Sequence, residues 1–240
     1  MPLNLLQIVQ EARGRLGQSI PTSVAGSTDS GMIQSLGLLN EFLEDLVQRR
    51  YWQANMRVCN FAAVATESQG LLSTLCPFGF EGILPDTFYN LTNQLEVLGG
   101  LSPSEWTARK VAGFSGPISA FRLRGGELLM LPAPTAGHQY SFEYHSSFFI
   151  YNAADPLPVF RKYWLKDVDV CTVDDALPIA YLKYAWKREK GLEYAEDFRK
   201  YESMLEAKSL RDVRAMTINM GDCGEGHGGG IIVQPGSWPL

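Results

Sequence analysis

Few side chains in this 240-residue sequence have types and spacings suited to chemistry, and the nearest to a metal-binding pattern lies close to its end. Cys223 and His227 stand four positions apart, with Asp222 and Glu225 beside them. A structural zinc ion takes four ligands in a closed tetrahedral site, and two ligands on a glycine-rich segment do not supply one. We therefore favour a linker over a metal site here, and we expect no cofactor.

Paired carboxylates could serve a glycosidase, which needs only two of them. Glu41 and Asp45 form one pair at helical spacing, and Glu193 and Asp197 form another. A general acid needs apolar surroundings that raise its pKa, and neither pair lies in apolar sequence. We predict that the chain is not an enzyme. A peptidoglycan-cleaving glycosidase associated with a phage tail remains an alternative.

Histidine and cysteine offer little further material, since the chain has only three histidines and four cysteines. His145 falls on the polar side of an alternating stretch, which predicts a solvated surface residue. No C-x-x-C pair occurs, and the spacing is typical of reduced thiols in a protein made in the cytoplasm. The cysteines are Cys59, Cys76, Cys171 and Cys223.

Composition excludes several classes of function. With 45% hydrophobic residues, the chain can form one large domain or two small ones without a metal or a disulfide. The formal net charge of −5 argues against a monomer that grips nucleic acid, because phosphate binding needs clustered Lys and Arg. No apolar run is long enough to span a bilayer. We expect a soluble protein with no membrane partner.

Two helices are predicted at the start of the chain. Apolar residues recur at helical spacing over residues 5–16 and again over residues 32–47. Thr28 or Asp29 can cap the second helix. Helical spacing returns over residues 177–205, which predicts a final helix that is bent at Gly191.

Between the helices, residues 57–150 alternate with a period near two, as strands do. The Gly125-Gly126 pair predicts a two-residue hairpin loop, because glycine accepts the positive φ values of such turns. Tyr140, Phe142 and Tyr144 predict a strand with one aromatic face. Two shorter features are also predicted: a helix that starts near Ser102 and a loop over residues 152–164.

The last residues form an unusual tail. Six of the ten residues from 221 to 230 are glycine, which predicts a flexible tether. An apolar stretch follows, and we interpret it as an arm that docks on another chain. A strand that returns to its own domain is the other interpretation. The arm residues are Ile231, Ile232, Val233, Trp238 and Leu240.

These patterns predict an α+β fold, in which an antiparallel helical bundle carries an inserted antiparallel β lobe and ends in an extended tail. The predicted parts are residues 1–55 (N-terminal helices of the bundle), 56–152 (β-rich insert), 153–214 (a loop and the C-terminal bundle helix) and 215–240 (tether and docking arm). Basic and aromatic side chains on the last helix are candidates for a subunit interface: Lys187, Tyr194 and Tyr201.

The amino-acid sequence resembles that of one protein family over residues 3–211. Six segments occur in this order: LNLLQIVQEARGRLG, SVAGSTDS, RRYWQ, FRLRGGELLMLPAP, YSFEY and WKREKGLEYAEDFRKYESML. Together they are similar to segments of head-to-tail adaptor (connector) proteins of tailed bacteriophages, particularly short-tailed ones. The resemblance rests on the order of these segments together with their amino-acid sequences.

The resemblance implies a structural virion protein at the head-tail junction. Such proteins form a dodecameric ring beneath the portal, with a helical bundle at the core of the ring and a C-terminal extension that docks on the portal. A tail nozzle or tail tube protein would attach below, and DNA would pass through the channel during genome ejection without specific binding. A monomeric binding module, which forms no ring, is a further alternative.

Overall fold

The computed structural model describes residues 2–113, 116, 118–155 and 159–212, and this part of the chain is mixed α+β with antiparallel sheets. Its helices are α1 (Leu5–Arg15), α2 (Ser30–Arg49), α3 (Leu72–Leu75), α4 (Pro103–Val111), α5 (Ala176–Glu189) and α6 (Ala195–Asp212). Its strands are β1 (Met56–Ala62), β2 (Ser68–Leu71), β3 (Gly82–Ile83), β4 (Tyr89–Asn90), β5 (Leu95–Glu96), β6 (Ala120–Arg124), β7 (Glu127–Leu131), β8 (Gln139–His145), β9 (Ile150–Asn152) and β10 (Asp169–Cys171).

Local capping signals fix where the helices begin. Asp29 accepts a hydrogen bond from the backbone N–H of Gly31, so it caps α2 as predicted. Ser102 and Glu105 form a reciprocal capping box at α4, with Pro103 in the first turn. The helix predicted near Ser102 is therefore confirmed.

The prediction of one bent helix at the C-terminal end is wrong, because the chain turns back between α5 and α6. Gly191 has a φ of +66°, a left-handed conformation that stops a helix. The N–H of Leu192 donates to the carbonyl of Lys187 at 2.9 Å and completes the turn. Lys183 in α5 donates to Asp197 near the start of α6, and Lys208 near the end of α6 donates to Asp174 just before α5, so α5 and α6 are antiparallel.

We call the apolar cluster built mainly by α1, α2, α5 and α6 the helical core. Helix α5 packs against α1, α2 and α6. Residues from the loops and from β9 and β10, such as Trp164 and Ile150, also belong to this cluster. Its fully enclosed members include Leu5, Ile8, Leu39, Phe42, Leu177, Tyr181 and Tyr201.

The strands from β1 to β8 form a second cluster, which we call the β lobe. One sheet has the order β1-β8-β4-β5, with β3 also paired to β8, and a second has the order β2-β7-β6. Gly125 and Gly126, with φ of +61° and +80°, form the predicted hairpin loop between β6 and β7. Both sheets contribute to one apolar cluster separate from the helical core.

The aromatic face predicted for residues 140–144 is buried in the β lobe. Tyr140, Phe142 and Tyr144 are each at most 2% exposed. The ring of Phe88 lies 5.1 Å from that of Phe142 and 6.0 Å from that of Tyr140, as tilted and edge-on aromatic pairs do. The period-two pattern is therefore confirmed in β8.

The connection back to the helices contains a short sheet that the sequence did not predict. Strand β10 pairs antiparallel with β9, placing Asp169 opposite Asn152. The whole predicted tether and docking arm, residues 215–240, lie outside the residues that the structure describes.

Candidate functional site

A groove of about 750 Å³ lies between α2, α5 and the start of α6. Its α2 side carries carboxylates, including Glu41 and Glu44, and its α6 side carries Tyr194 and Phe198. Tyr194 is 41% exposed and Phe198 is 37% exposed. Exposed aromatic residues are enriched at protein-binding surfaces, whose rim is polar.

The floor of the groove is aromatic. The ring of Tyr184 lies 5.4 Å from Phe198, 5.2 Å from Tyr201 and 4.9 Å from Tyr181. Burial raises the pKa of the Tyr181, Tyr184 and Tyr201 phenols above their ordinary value, so they remain neutral at physiological pH. The floor, formed by Tyr181 and Tyr184, is thus an uncharged aromatic surface, and Tyr201 lies buried beneath it.

Ion pairs connect the helices around this floor. The guanidinium of Arg49 donates to Asp45 at 2.8 Å on its own helix and to Glu202 at 2.7 Å on α6. Arg188 on α5 donates to Glu41 at 3.2 Å. These pairs are partly exposed, so each contributes modestly to stability, and together they fix the shape of the rim.

The three predicted subunit-interface residues have different environments. Tyr194 is exposed at the groove, so it remains a candidate. Lys187 is half-buried, and its Nζ bonds to Asp197 at 2.5 Å within the same chain. Tyr201 is completely buried in the helical core, so its prediction as an interface residue is wrong. Helical spacing places Tyr201 on the face of α6 that packs against α2 and α5.

Three of the four carboxylates considered for a glycosidase make contacts within the chain: Glu41 with Arg188, Asp45 with Arg49, and Asp197 with Lys183 and Lys187. Burial alone would raise the pKa of Asp197, but hydrogen bonds from Lys183 and Lys187 outweigh it and lower that pKa. A general acid needs the opposite shift. The contacts therefore favour a structural role for these groups.

His145 is buried, so the prediction of a solvated surface histidine is wrong. Its ring stacks on that of Tyr51, with 3.9 Å between centroids and 9° between planes. Tyr51 lies in the segment after α2. The alternation of polar and apolar residues within β8 gives no information on where that segment packs. The Nδ1 atom of His145 is buried without a hydrogen-bond partner, and burial lowers the pKa of the ring.

This lowered pKa makes the stability depend on pH. Above the ordinary value of 6.5 the ring is neutral in the folded and unfolded states, so it has no effect. As the pH falls through 6.5, the unfolded state gains the proton first, and the folded state loses stability. We expect the free energy of unfolding, measured with denaturant at pH 7.5 and 5.5, to fall less in His145→Gln. The fall in the unmodified chain should exceed the fall in His145→Gln by less than about 1.4 kcal/mol per pH unit. An equal change in the free energy of unfolding of both proteins over this pH range would contradict this prediction.

Among the described residues, no group of three or more His, Cys, Asp and Glu side chains could hold a metal ion. Cys59, Cys76 and Cys171 are buried free thiols. The Cys223 and His227 pair falls outside the described ranges. None of the helices in the described part is long and apolar enough to cross a membrane.

The groove itself was not predicted from sequence. Its lining comes from three helices, and only Tyr194 among its exposed aromatics was a candidate. The steps of four and three between Tyr194, Phe198 and Tyr201 were visible, but they did not reveal which side chains are covered by α5. The chain matches no protein-family model and no curated protein.

Proposed function

We propose that this protein is a ring-forming head-to-tail adaptor of a tailed bacteriophage. It would bind the portal vertex, extend the DNA channel and provide the platform for tail attachment. The observation that supports this most is the groove with its exposed aromatic edge, on a helical core that carries a separate β lobe. The segment order that resembles the adaptor family points the same way.

In this proposal the helices form the bundle at the core of the ring, and the groove receives the neighbouring subunit. Tyr194 and Phe198 offer rigid aromatic anchors, which dominate many interfaces. Arg199 adds an exposed cation to the same edge. A contact between a groove on one copy and a different surface on the next is heterologous, and such contacts form a ring when the rotation from copy to copy closes.

The net charge of −5 suits a channel wall. A wall that bound phosphates tightly would slow a passing genome, because each phosphate contact adds affinity. The protein would be made in the host cytoplasm and would act in the virion, between the portal and a tail nozzle or tail tube protein.

The C-terminal arm is proposed to dock on the portal ring. Burial of its large apolar side chains, such as Ile231 and Trp238, contributes about 1.5 to 3 kcal/mol each before ordering costs. Twelve equivalent arms would add avidity. We expect deletion of residues 231–240 to weaken attachment to an assembled portal ring at least about tenfold, measured by sedimentation of the complex.

The control for that deletion is the thermal midpoint of the isolated chain, which should change by no more than a few degrees. A truncated chain that binds portal as tightly as the full chain, or that unfolds on truncation, would contradict the arm proposal.

Two alternatives are separable by experiment. Release of soluble fragments from purified peptidoglycan, abolished by Glu41→Gln, would favour a glycosidase. A molecular mass of one chain, both alone and with portal present, would favour a monomeric binding module. No contact in the described part favours either alternative over the ring.

A further inference from the structure

Strand β1 lies at an open edge of the main sheet in the β lobe. Among the described residues it pairs with β8 alone, and seven residues take part. Val58 on this strand is 58% exposed, and Asn60 and Ala62 are also exposed. A strand of this length with no partner on one side is a template for a further strand.

The pairing register of β1 and β8 shows which backbone N–H and C=O groups of β1 do not bond to β8. The N–H of Ala63 donates to His138 at 2.8 Å, and the N–H of Ser146 donates to Asn55 at 3.0 Å, so the odd-numbered residues of β1 bond to β8. The N–H and C=O groups of Val58, Asn60 and Ala62 therefore point away from β8. They form a ladder of donors and acceptors at the edge.

The described chain ends beside this edge. Asp212, the last residue of α6, accepts a hydrogen bond from the backbone N–H of Gln53 at 2.6 Å. Gln53 stands three positions before the start of β1. Whatever follows Asp212 thus leaves the helical core next to the beginning of the open strand.

The composition and length of the remaining chain fit this edge. Residues 231–233 are the only three consecutive β-branched residues in the sequence, and such residues favour strands. The 18 residues 213–230 separate them from Asp212. A chain of that length that behaves as a flexible coil spans about 23 Å root mean square. Strand β1 is also roughly 23 Å long. The effective concentration of a tethered segment at its binding site is greatest when the root-mean-square length of the linker matches the distance to be spanned.

We propose that, in the free subunit, residues 231–234 add a strand to the open edge of β1 in their own chain, and that they leave this edge when the arm docks on a portal. The backbone of this segment would bond to Val58, Asn60 and Ala62. This covers an open strand edge and an apolar segment that would each promote aggregation alone. The inference does not depend on a portal, and the experiments below use the isolated full-length chain, so its failure is distinct from failure of the adaptor proposal.

Amide hydrogen exchange at single-residue resolution tests the pairing. In the full-length chain, the amides of Val58, Asn60 and Ala62 should exchange about tenfold or more slowly than in a chain that lacks residues 231–240. The amides of Cys59 and Phe61, which face β8, should be equally protected in both. Equal exchange at the three open positions in the two chains would overturn the proposal.

A matched pair of variants at Asn60 tests the edge itself. Asn60→Pro removes an outward N–H without removing a bond to β8, which is where proline is tolerated in sheets. Asn60→Ala keeps the N–H. We expect Val58 and Ala62 to lose their slow exchange in Asn60→Pro and to keep it in Asn60→Ala, with the Cys59 and Phe61 amides reporting an intact sheet in both. Loss or retention in both variants alike would overturn the proposal.

Cross-linking decides whether the strand comes from the same chain. A photoreactive residue in place of Ile232, in a co-refolded mixture of ¹⁴N and ¹⁵N chains, should give links to β1 within isotopically uniform chains. Links between ¹⁴N and ¹⁵N peptides at the statistical frequency would show that a second copy supplies the strand, and would overturn the assignment to the same chain.

Discussion

Replacing Tyr201 with Ala is expected to lower the free energy of unfolding of the subunit by about 3 to 5 kcal/mol, the usual cost of removing a large buried aromatic ring. The side chain is completely buried, where its ring contacts those of Tyr181 and Tyr184 at 5.4 and 5.2 Å. Its hydroxyl also bonds to Asp45 at 3.3 Å. The loss would leave a cavity between three helices.

Tyr194→Ala is the matched control for Tyr201→Ala, since both tyrosines lie on the same C-terminal segment. Tyr194 is 41% exposed, so its removal should change the free energy of unfolding by less than about 0.5 kcal/mol. In the adaptor proposal it should instead weaken association between subunits. Denaturant unfolding separates these effects, and a Tyr201→Ala protein as stable as Tyr194→Ala would contradict the description of the helical core.

Replacing Asp169 with Ala is expected to cost about 3 kcal/mol, because it leaves buried donors without an acceptor. The carboxylate is 0% exposed. It accepts hydrogen bonds from the N–H groups of Leu165 and Lys166 at 2.9 and 2.8 Å, and from Arg161 at 3.2 Å. These bonds fix the turn that follows Trp164, whose indole is buried in the helical core.

Glu193→Ala is the control for Asp169→Ala, since Glu193 is exposed in the turn between α5 and α6. Its effect on the free energy of unfolding should be within about 0.5 kcal/mol. Thermal or denaturant unfolding of both variants provides the comparison. Equal stability of the two would show that the Asp169 bonds do not hold this turn.

Features determined by neighbouring residues could be predicted from the sequence. The Asp29 and Ser102 caps, the Gly125-Gly126 loop and the alternation in β8 depend on spacings of a few positions, and the structure has all of them. A helix start or a two-residue turn needs no knowledge of distant contacts.

Features that depend on distant contacts were missed. A Gly between two apolar periodic stretches is compatible with a bend or a full turn, and the packing of α6 back on α5 decides for the turn at Gly191. Tyr51 covers His145 from 94 positions away, so strand alternation could not show that this ring is buried. The groove and the open edge of β1 likewise exist only once the elements are assembled.

The central claim is that copies of this chain form a ring on a portal. The most direct test is native mass spectrometry of the full-length protein mixed with assembled portal rings of the same phage. The proposal predicts a complex that gains about 320 kDa over the portal alone, which is twelve chains of 26.7 kDa. A portal ring that gains no mass, or gains only one or two chains at saturating concentration, would contradict the claim.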